Sequence, residues 1–180
     1  MRIGIDCRTY GPSYGYTGRY IEHLISYLDT HEDEHEYVLF FSDRNFGEFV
    51  SESDRLQTLK TATKKENLFD QIIFSYELYK QKFDLVLFPD SKIPFFYRGK
   101  SMIIATDFVS YFYPEKHLKG TIMRYWSNLI LRYSIESASQ IVALSEILKR
   151  DIIEIFDVHE DKIRVIPPMF LGASELLQHT

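Results

Sequence analysis

The chain alternates between short apolar runs and longer stretches whose apolar residues recur every three or four positions. Arg2 to Asp6, with Ile3 and Ile5 ahead of a turn-rich stretch, predicts a buried strand. Tyr20, Ile21, Leu24, Ile25 and Leu28 then carry the stripe of a helix over residues 18–28. Tyr37-Val38-Leu39-Phe40-Phe41 is a continuous apolar run, the pattern of a strand covered on both faces. Leu56 to Ala62 alternates and predicts a strand, and Asn67 to Lys82 predicts a helix through Leu68, Ile72, Ile73, Tyr76 and Tyr79. Asp84 to Phe88 reads as a strand stopped by Pro89, which cannot continue a central ladder. Ser101 to Thr106 is a further strand. Lys116 to Ala138 predicts a long helix with Ile122, Trp126, Leu129 and Tyr133 on one side. Gln140 to Leu144 (strand), Ser145 to Phe156 (helix) and Lys162 to Ile166 (strand) complete the series before Pro167-Pro168.

Apolar strands alternating with amphipathic helices imply an α/β fold. The expected arrangement is a single Rossmann-like domain over residues 1–168, with a mostly parallel β-sheet of about seven strands and helices on both faces. Residues 169–180 read as a tail. The length of 180 residues suits one domain, and no internal repeat is present.

Composition narrows the function classes. With 45% hydrophobic and 26% charged residues the chain is too apolar for a disordered one. The single cysteine, Cys7, excludes an internal disulfide framework and a multi-cysteine zinc site. No apolar run reaches the length of a membrane span, and Met1 to Asp6 turns acidic too early for a signal peptide. A cytoplasmic protein is the expectation. The net charge is -5, but from Lys92 to Tyr133 seven basic residues face only two acids, Asp107 and Glu115. A basic, aromatic-rich region on an acidic protein suits an anionic ligand or a membrane surface, or else merely solubilises one face.

In an open parallel sheet the ligand crevice lies beyond the carboxyl ends of the strands. The residues just past those ends are Asp6 with the glycine-rich stretch 9–18, then Asp90, Ser91 and Lys92, then Thr106 and Asp107, then Ser145. Any single one of these aspartates can be a cap or a loop hydrogen-bonder; three at one rim point to a site. The glycine-rich stretch is either a long surface turn or a flexible backbone leading into a helix N-terminus, whose free N–H groups and positive end suit phosphate or hydroxyl-rich ligands.

Other motifs fail on context. Gly11, Gly15 and Gly18 do not fit the spacing of a dinucleotide fingerprint. Gly99-Lys100-Ser101 resembles the end of a P-loop, but it leads into a strand, leaving phosphate no helix N-terminus. The six histidines lack zinc spacing, so no metal is expected. No nucleophile elbow of a serine hydrolase is present. The acidic balance and the lack of a known module argue against nucleic-acid binding.

Four stretches carry a resemblance to the N-terminal domain of family 4 glycosyltransferases of the GT-B fold. They are Arg2–Arg8 followed by Gly15-Tyr16-Thr17-Gly18-Arg19-Tyr20; Phe83–Pro89; Ala105-Thr106-Asp107-Phe108 with Tyr113-Pro114-Glu115; and Ser145–Asp151 continuing through Val158–Pro167. The resemblance implies transfer of a sugar from a nucleotide-sugar donor to a glycan or lipid-linked acceptor, with retention at the anomeric carbon and no cofactor. The N-terminal domain of such enzymes supplies the acceptor side of the cleft. Carried over by position, Gly15, Thr17, Gly18 and Arg19 line the donor's phosphate and sugar. Thr106 and Asp107 occupy the family's His-Asp position, and Ser145, Lys149 and Arg150 lie near the interdomain face. Asp6, Asp90, Ser91 and Lys92, placed by the strand ends and not by the resemblance, are the other acceptor or cleft candidates.

The departures matter as much. Thr106 stands where the family has histidine, and Pro167-Pro168-Met169 replaces its Pro-Asn-Gly. Residues 169–180 do not resemble the donor-binding half, so a separate donor-binding domain or subunit is an expected partner and the chain alone is expected to be inactive. The alternative is a non-catalytic glycan- or protein-binding module that keeps the fold. Two further expectations are self-association through an uncovered interdomain face and peripheral membrane contact. The second rests on Phe95–Arg98, Phe108–Tyr113, Lys116, Lys119, Arg124 and Trp126.

Overall fold

The computed structural model describes residues 1–63, 68–106 and 121–168, with residues 68 and 121–127 described by their backbone alone. Seven strands form one sheet: β1 Arg2–Asp6, β2 Glu36–Ser42, β3 Leu56–Thr61, β4 Leu85–Phe88, β5 Ser101–Ala105, β6 Gln140–Ala143 and β7 Ile163–Val165. Their order is β3-β2-β1-β4-β5-β6-β7 and every pairing is parallel. β2–β3 and β4–β5 are joined without a helix; among the described residues four α-helices lie in the other connections: α1 Gly15–Thr30, α2 Leu68–Gln81, α3 Thr121–Ser137 and α4 Glu146–Phe156. The α/β Rossmann-like expectation is met. The tail 169–180, and the aromatic and basic residues 107–120, lie outside the described residues.

Strand burial follows from the covering helices. β2 buries six consecutive residues, Tyr37 to Ser42, because both of its faces are covered. On one face Ile5, Leu39 and Phe41 pack with Ile21 and Ile25 of α1. On the other, Phe40, Val86, Phe88 and Ile103 pack with Phe74 and Leu78 of α2, Leu131 and Ile135 of α3, and Ile152 and Phe156 of α4. Helices thus lie on both faces, α1 on one and α2, α3 and α4 on the other.

The helical stripe of α2 points elsewhere than expected; that of α3 is only partly described, with Tyr133 half-buried against the core and the side chains of Ile122 and Trp126 outside the described residues. On α2 the residues turned inward are Gln71, Phe74, Ser75 and Leu78. Ile72, Ile73, Tyr76 and Tyr79, the stripe that predicts the helix, are exposed instead, and Phe69 joins them. On α3 the buried residues are Leu131, Ser134 and Ile135, while Leu129 and Tyr133 flank them beside a cavity of about 240 Å³. The physical reason is that polar inward residues find partners. The Ser134 hydroxyl accepts from the Ile93 N–H at 2.8 Å and donates to the Ile130 carbonyl at 2.7 Å. The Gln71 side chain accepts from the Phe95 N–H at 3.1 Å. A satisfied polar group costs little inside, so hydrophobicity alone does not choose the inward arc.

The approach to α1 also differs from a plain loop. Pro12–Tyr14 form a 3-10 turn, and the helix begins at Gly15, three residues before Gly18. Gly15 has φ +63° and ψ -138°, a backbone conformation that glycine adopts without the steric cost of a Cβ.

Candidate functional site

The switch in strand order falls between β1 and β4, where the crossovers leave to opposite faces and open a crevice at the carboxyl ends. Three connections meet there. The first is the stretch after β1. Asn45, only 2% exposed, donates through its side-chain amide to the carbonyls of Cys7 at 3.1 Å, Tyr10 at 3.2 Å and Arg8 at 3.4 Å. Its own oxygen accepts from the Ser42 hydroxyl at 2.7 Å. One buried amide on the β2 loop therefore sets the shape of the backbone that leads into the glycine-rich turn.

The second connection is the start of α1. Gly18 is buried against the Gly11 backbone, and a Cβ at Gly18 would run into the Gly11 carbonyl oxygen. Only glycine allows that approach. No side chain caps this helix and no acidic residue lies in its first turn, so the helix itself supplies nothing that neutralises its positive end. The third connection comes from β4 and β5. Thr106, just past β5, donates its hydroxyl proton to the Pro89 carbonyl at 3.2 Å. Its oxygen lies 3.0 Å from the Thr17 hydroxyl. Since Thr106 has one proton and a carbonyl can only accept, the Thr17 hydroxyl is the donor of that second bond. The chain Thr17 to Thr106 to Pro89 ties the first turn of α1 to the ends of β4 and β5.

The remaining expected residues separate into two groups. Asp6, with no solvent exposure, faces inward: its carboxylate takes Arg8 Nε and Nη2 at 2.9 Å each and the Arg8 N–H at 3.1 Å. The guanidinium, 5% exposed, stacks 3.6 Å from the centre of the Phe74 ring and reaches the Thr63 hydroxyl at 3.3 Å. This pair holds β1 to α2; it is not part of the open rim. Ser91 is buried with φ +63°, and its hydroxyl donates to the Ile104 carbonyl at 2.9 Å, fixing the β4–β5 turn. Asp90 accepts from the Lys92 N–H at 3.3 Å, and Lys92 is exposed.

At the far end of the rim Ser145 is the N-cap of α4, accepting from the Leu148 N–H at 3.1 Å. Lys149 pairs with Glu160 at 2.6 Å, and that hydrogen bond raises the ammonium pKa above its usual value. Arg19 and Arg150 are exposed. Asp107 lies outside the described residues. The structure thus brings Gly15, Thr17, Gly18 and Thr106 together, and gives Asp6, Ser91 and Ser145 local partners.

Asn45, Arg8 and Thr63 are the contributors that pattern reading does not single out. Asn45 lies in Asp43-Arg44-Asn45-Phe46-Gly47, whose composition signals only a turn. Among the described residues no group of three or more His, Cys, Asp or Glu side chains could hold a metal ion, and no helix is long and apolar enough to cross a membrane. A search of curated proteins found no match. The family model described as Glycosyltransferase Family 4 matches residues 17–170, which takes in α1 from Thr17 onward, the Thr17–Thr106 contact and every strand from β2 to β7. By fold and by that match, the chain belongs to glycosyltransferase family 4.

Proposed function

We propose that this domain forms the acceptor-binding side of a cleft in which a sugar passes from a nucleotide-sugar donor to a glycan or lipid-linked acceptor, with retention of anomeric configuration. The observation that carries the reading is the Thr17–Thr106–Pro89 chain, which holds the uncapped N-terminus of α1 against the ends of β4 and β5. When the bond between the anomeric carbon and the diphosphate breaks, negative charge grows on the leaving oxygen. A helix N-terminus already fixed in place stabilises that charge without reorganising. The acceptor hydroxyl oxygen then forms the new bond at the same anomeric carbon, on the face from which the diphosphate leaves, and its proton passes to the leaving diphosphate oxygen.

One wall is not a closed site. Phosphate facing α1 alone remains in contact with water, where such stabilisation is weak. A donor-binding domain closing over the rim excludes that water and completes the cleft. The domain by itself is therefore inactive in this reading, and the nucleotide-sugar is a co-substrate held mainly by the other wall.

A second reading, a non-catalytic glycan- or protein-binding module, draws on Thr106. Its only hydroxyl proton is committed to the Pro89 carbonyl, so the side chain has no proton to offer a ligand. Calorimetric titration with UDP-, GDP- and ADP-sugars separates the two. The chain would be titrated alone and then mixed with a family 4 donor-binding domain. Heat larger than the donor domain gives by itself supports the cleft, and an unchanged signal supports the module.

A further inference from the structure

We infer that the cavity between α2 and α3 is a binding site for a small uncharged ring compound that carries one hydrogen-bond acceptor. The cavity has a topological cause. The connection from β4 to β5, residues 89–100, holds no helix, so the helical layer on that face is interrupted between α2 and α3. Phe95 of that connection lies in the interruption, yet about 240 Å³ remains beside Leu129, Ile130 and Tyr133. α1 covers the opposite face of the sheet, so this site is distinct from the N-terminus of α1 and does not rest on the glycosyl-transfer reading.

The polar groups already committed decide what the cavity offers. The Tyr133 hydroxyl donates to the Tyr97 carbonyl at 2.9 Å and accepts from Arg98. Arg132 and Glu136, both more than half exposed at the mouth, pair with each other at 2.8 Å. Gln71, in contrast, is only 8% exposed. Its side-chain oxygen takes the Phe95 N–H at 3.1 Å, which fixes the amide orientation and leaves the nitrogen as the spare atom. Among the described residues nothing accepts from that nitrogen. A buried donor without a partner is unfavourable, and a ligand that supplies an acceptor removes the penalty. The inner wall is otherwise apolar, so one N–H asks for one acceptor atom on an apolar body. The two charges at the mouth neutralise each other, which selects against a charged ligand. The volume falls just below the range of about 300–1,000 Å³ that holds drug-sized ligands, which suits a single substituted ring. Water fits less well, since a bound water needs two or more polar partners and the inner wall presents Gln71 alone.

NMR titration of the isotope-labelled full chain tests this, read at the Gln71 side-chain amide and at the Leu129 and Ile130 methyls. Three compounds of similar shape are compared: acetophenone, α-methylstyrene, which lacks the acceptor, and benzoate, which is charged. Acetophenone is expected to give saturable shifts at all three positions. α-Methylstyrene should bind about three- to tenfold more weakly, because one hydrogen bond is lost. Benzoate should bind at least about tenfold more weakly than the ketone, because its charge must be desolvated. Gln71→Glu keeps an acceptor for the Phe95 N–H and removes the spare donor, so the preference for ketone over hydrocarbon disappears. Leu129→Trp fills the cavity and abolishes binding of both, with circular dichroism confirming that each variant is folded. Absence of saturable shifts in the wild type means that the cavity holds only water, and overturns the inference. So does a hydrocarbon that binds as tightly as the ketone, benzoate as the tightest ligand, or binding that persists in folded Leu129→Trp. The comparison of the three compounds on the wild-type chain decides the matter even if neither variant folds.

Discussion

α1 and α2 carry nearly the same apolar rhythm and use it in opposite ways. On α1 the stripe faces the sheet: Ile21 and Ile25 are fully buried and Tyr20 nearly so. On α2 the equivalent stripe faces solvent, and the inward arc is the mixed set Gln71, Phe74, Ser75 and Leu78. The difference lies in what each helix meets. α1 meets Leu39, Phe41 and Ile104, which offer only apolar surface. α2 meets the buried Arg8–Asp6 pair, for which Phe74 supplies an aromatic face, and the 93–98 turn, for which Gln71 supplies an acceptor. Ser75 returns its hydroxyl to the Gln71 carbonyl at 2.7 Å, so nothing polar on that arc is left wanting. A helix buries the face whose polar groups can be satisfied, even where the other face is the more apolar.

The strongest way to break this contrast is to remove the ring on which α2 depends. Phe74→Ala deletes a fully buried side chain and strips the Arg8 guanidinium of its stacking surface. The expected loss is about 3–5 kcal/mol in urea unfolding. A loss matching that of a solvent-facing substitution would mean that α2 does not seat on Arg8. Phe74→Leu, which keeps apolar volume but not the ring, is expected to fall between the two.

The border between the faces of α2 gives a smaller, pH-dependent effect. Tyr97 packs against Tyr79 with ring centres 5.3 Å apart, and burial, helped by the neighbouring Tyr79, pushes its phenol up to about 12. The fold therefore favours the neutral phenol, while the unfolded chain ionises near 10. Stability from this residue is complete below about pH 10 and is lost as pH rises toward 12. Urea unfolding across that window should show a midpoint that falls with pH in the wild type. In Tyr97→Phe the fall should be shallower; an identical fall would place Tyr97 in contact with solvent.

How much of this is legible in a sequence depends on the kind of interaction. Each described strand and α-helix follows from an apolar run or period, because both reflect backbone geometry, which is local. The rim also follows from order alone, since a parallel sheet fixes where its crevice opens. Thus Thr106, Gly15 and Gly18 are identified as rim residues from order and family resemblance before any coordinates. Asp6 looks like them by the same rule, yet its carboxylate is bound by Arg8 two residues later. No period encodes which way a side chain turns. Asn45 is still less visible: its three carbonyl partners lie more than thirty residues away, and only the β1–β2 pairing brings them within reach. The outward face of α2 is hidden for a related reason, since its inward arc is set by contacts of Gln71 with Phe95 and of Phe74 with Arg8.

The smallest effect sharpens the contrast most. If the apolar stripe of α2 truly faces water in the monomer, replacing one of its members should be almost free. Tyr76→Ser removes a large aromatic ring, a change that at Ile25 or Phe74 would leave a cavity. At Tyr76 the ring is solvated, serine and tyrosine have similar helix propensity, and the lost contact with Lys80 is an exposed cation–π pair. The expected change is within about 0.5 kcal/mol, measured by urea unfolding at a dilution where the chain is monomeric. A cost several times larger would mean that Tyr76 is covered, and the opposition between α1 and α2 would collapse.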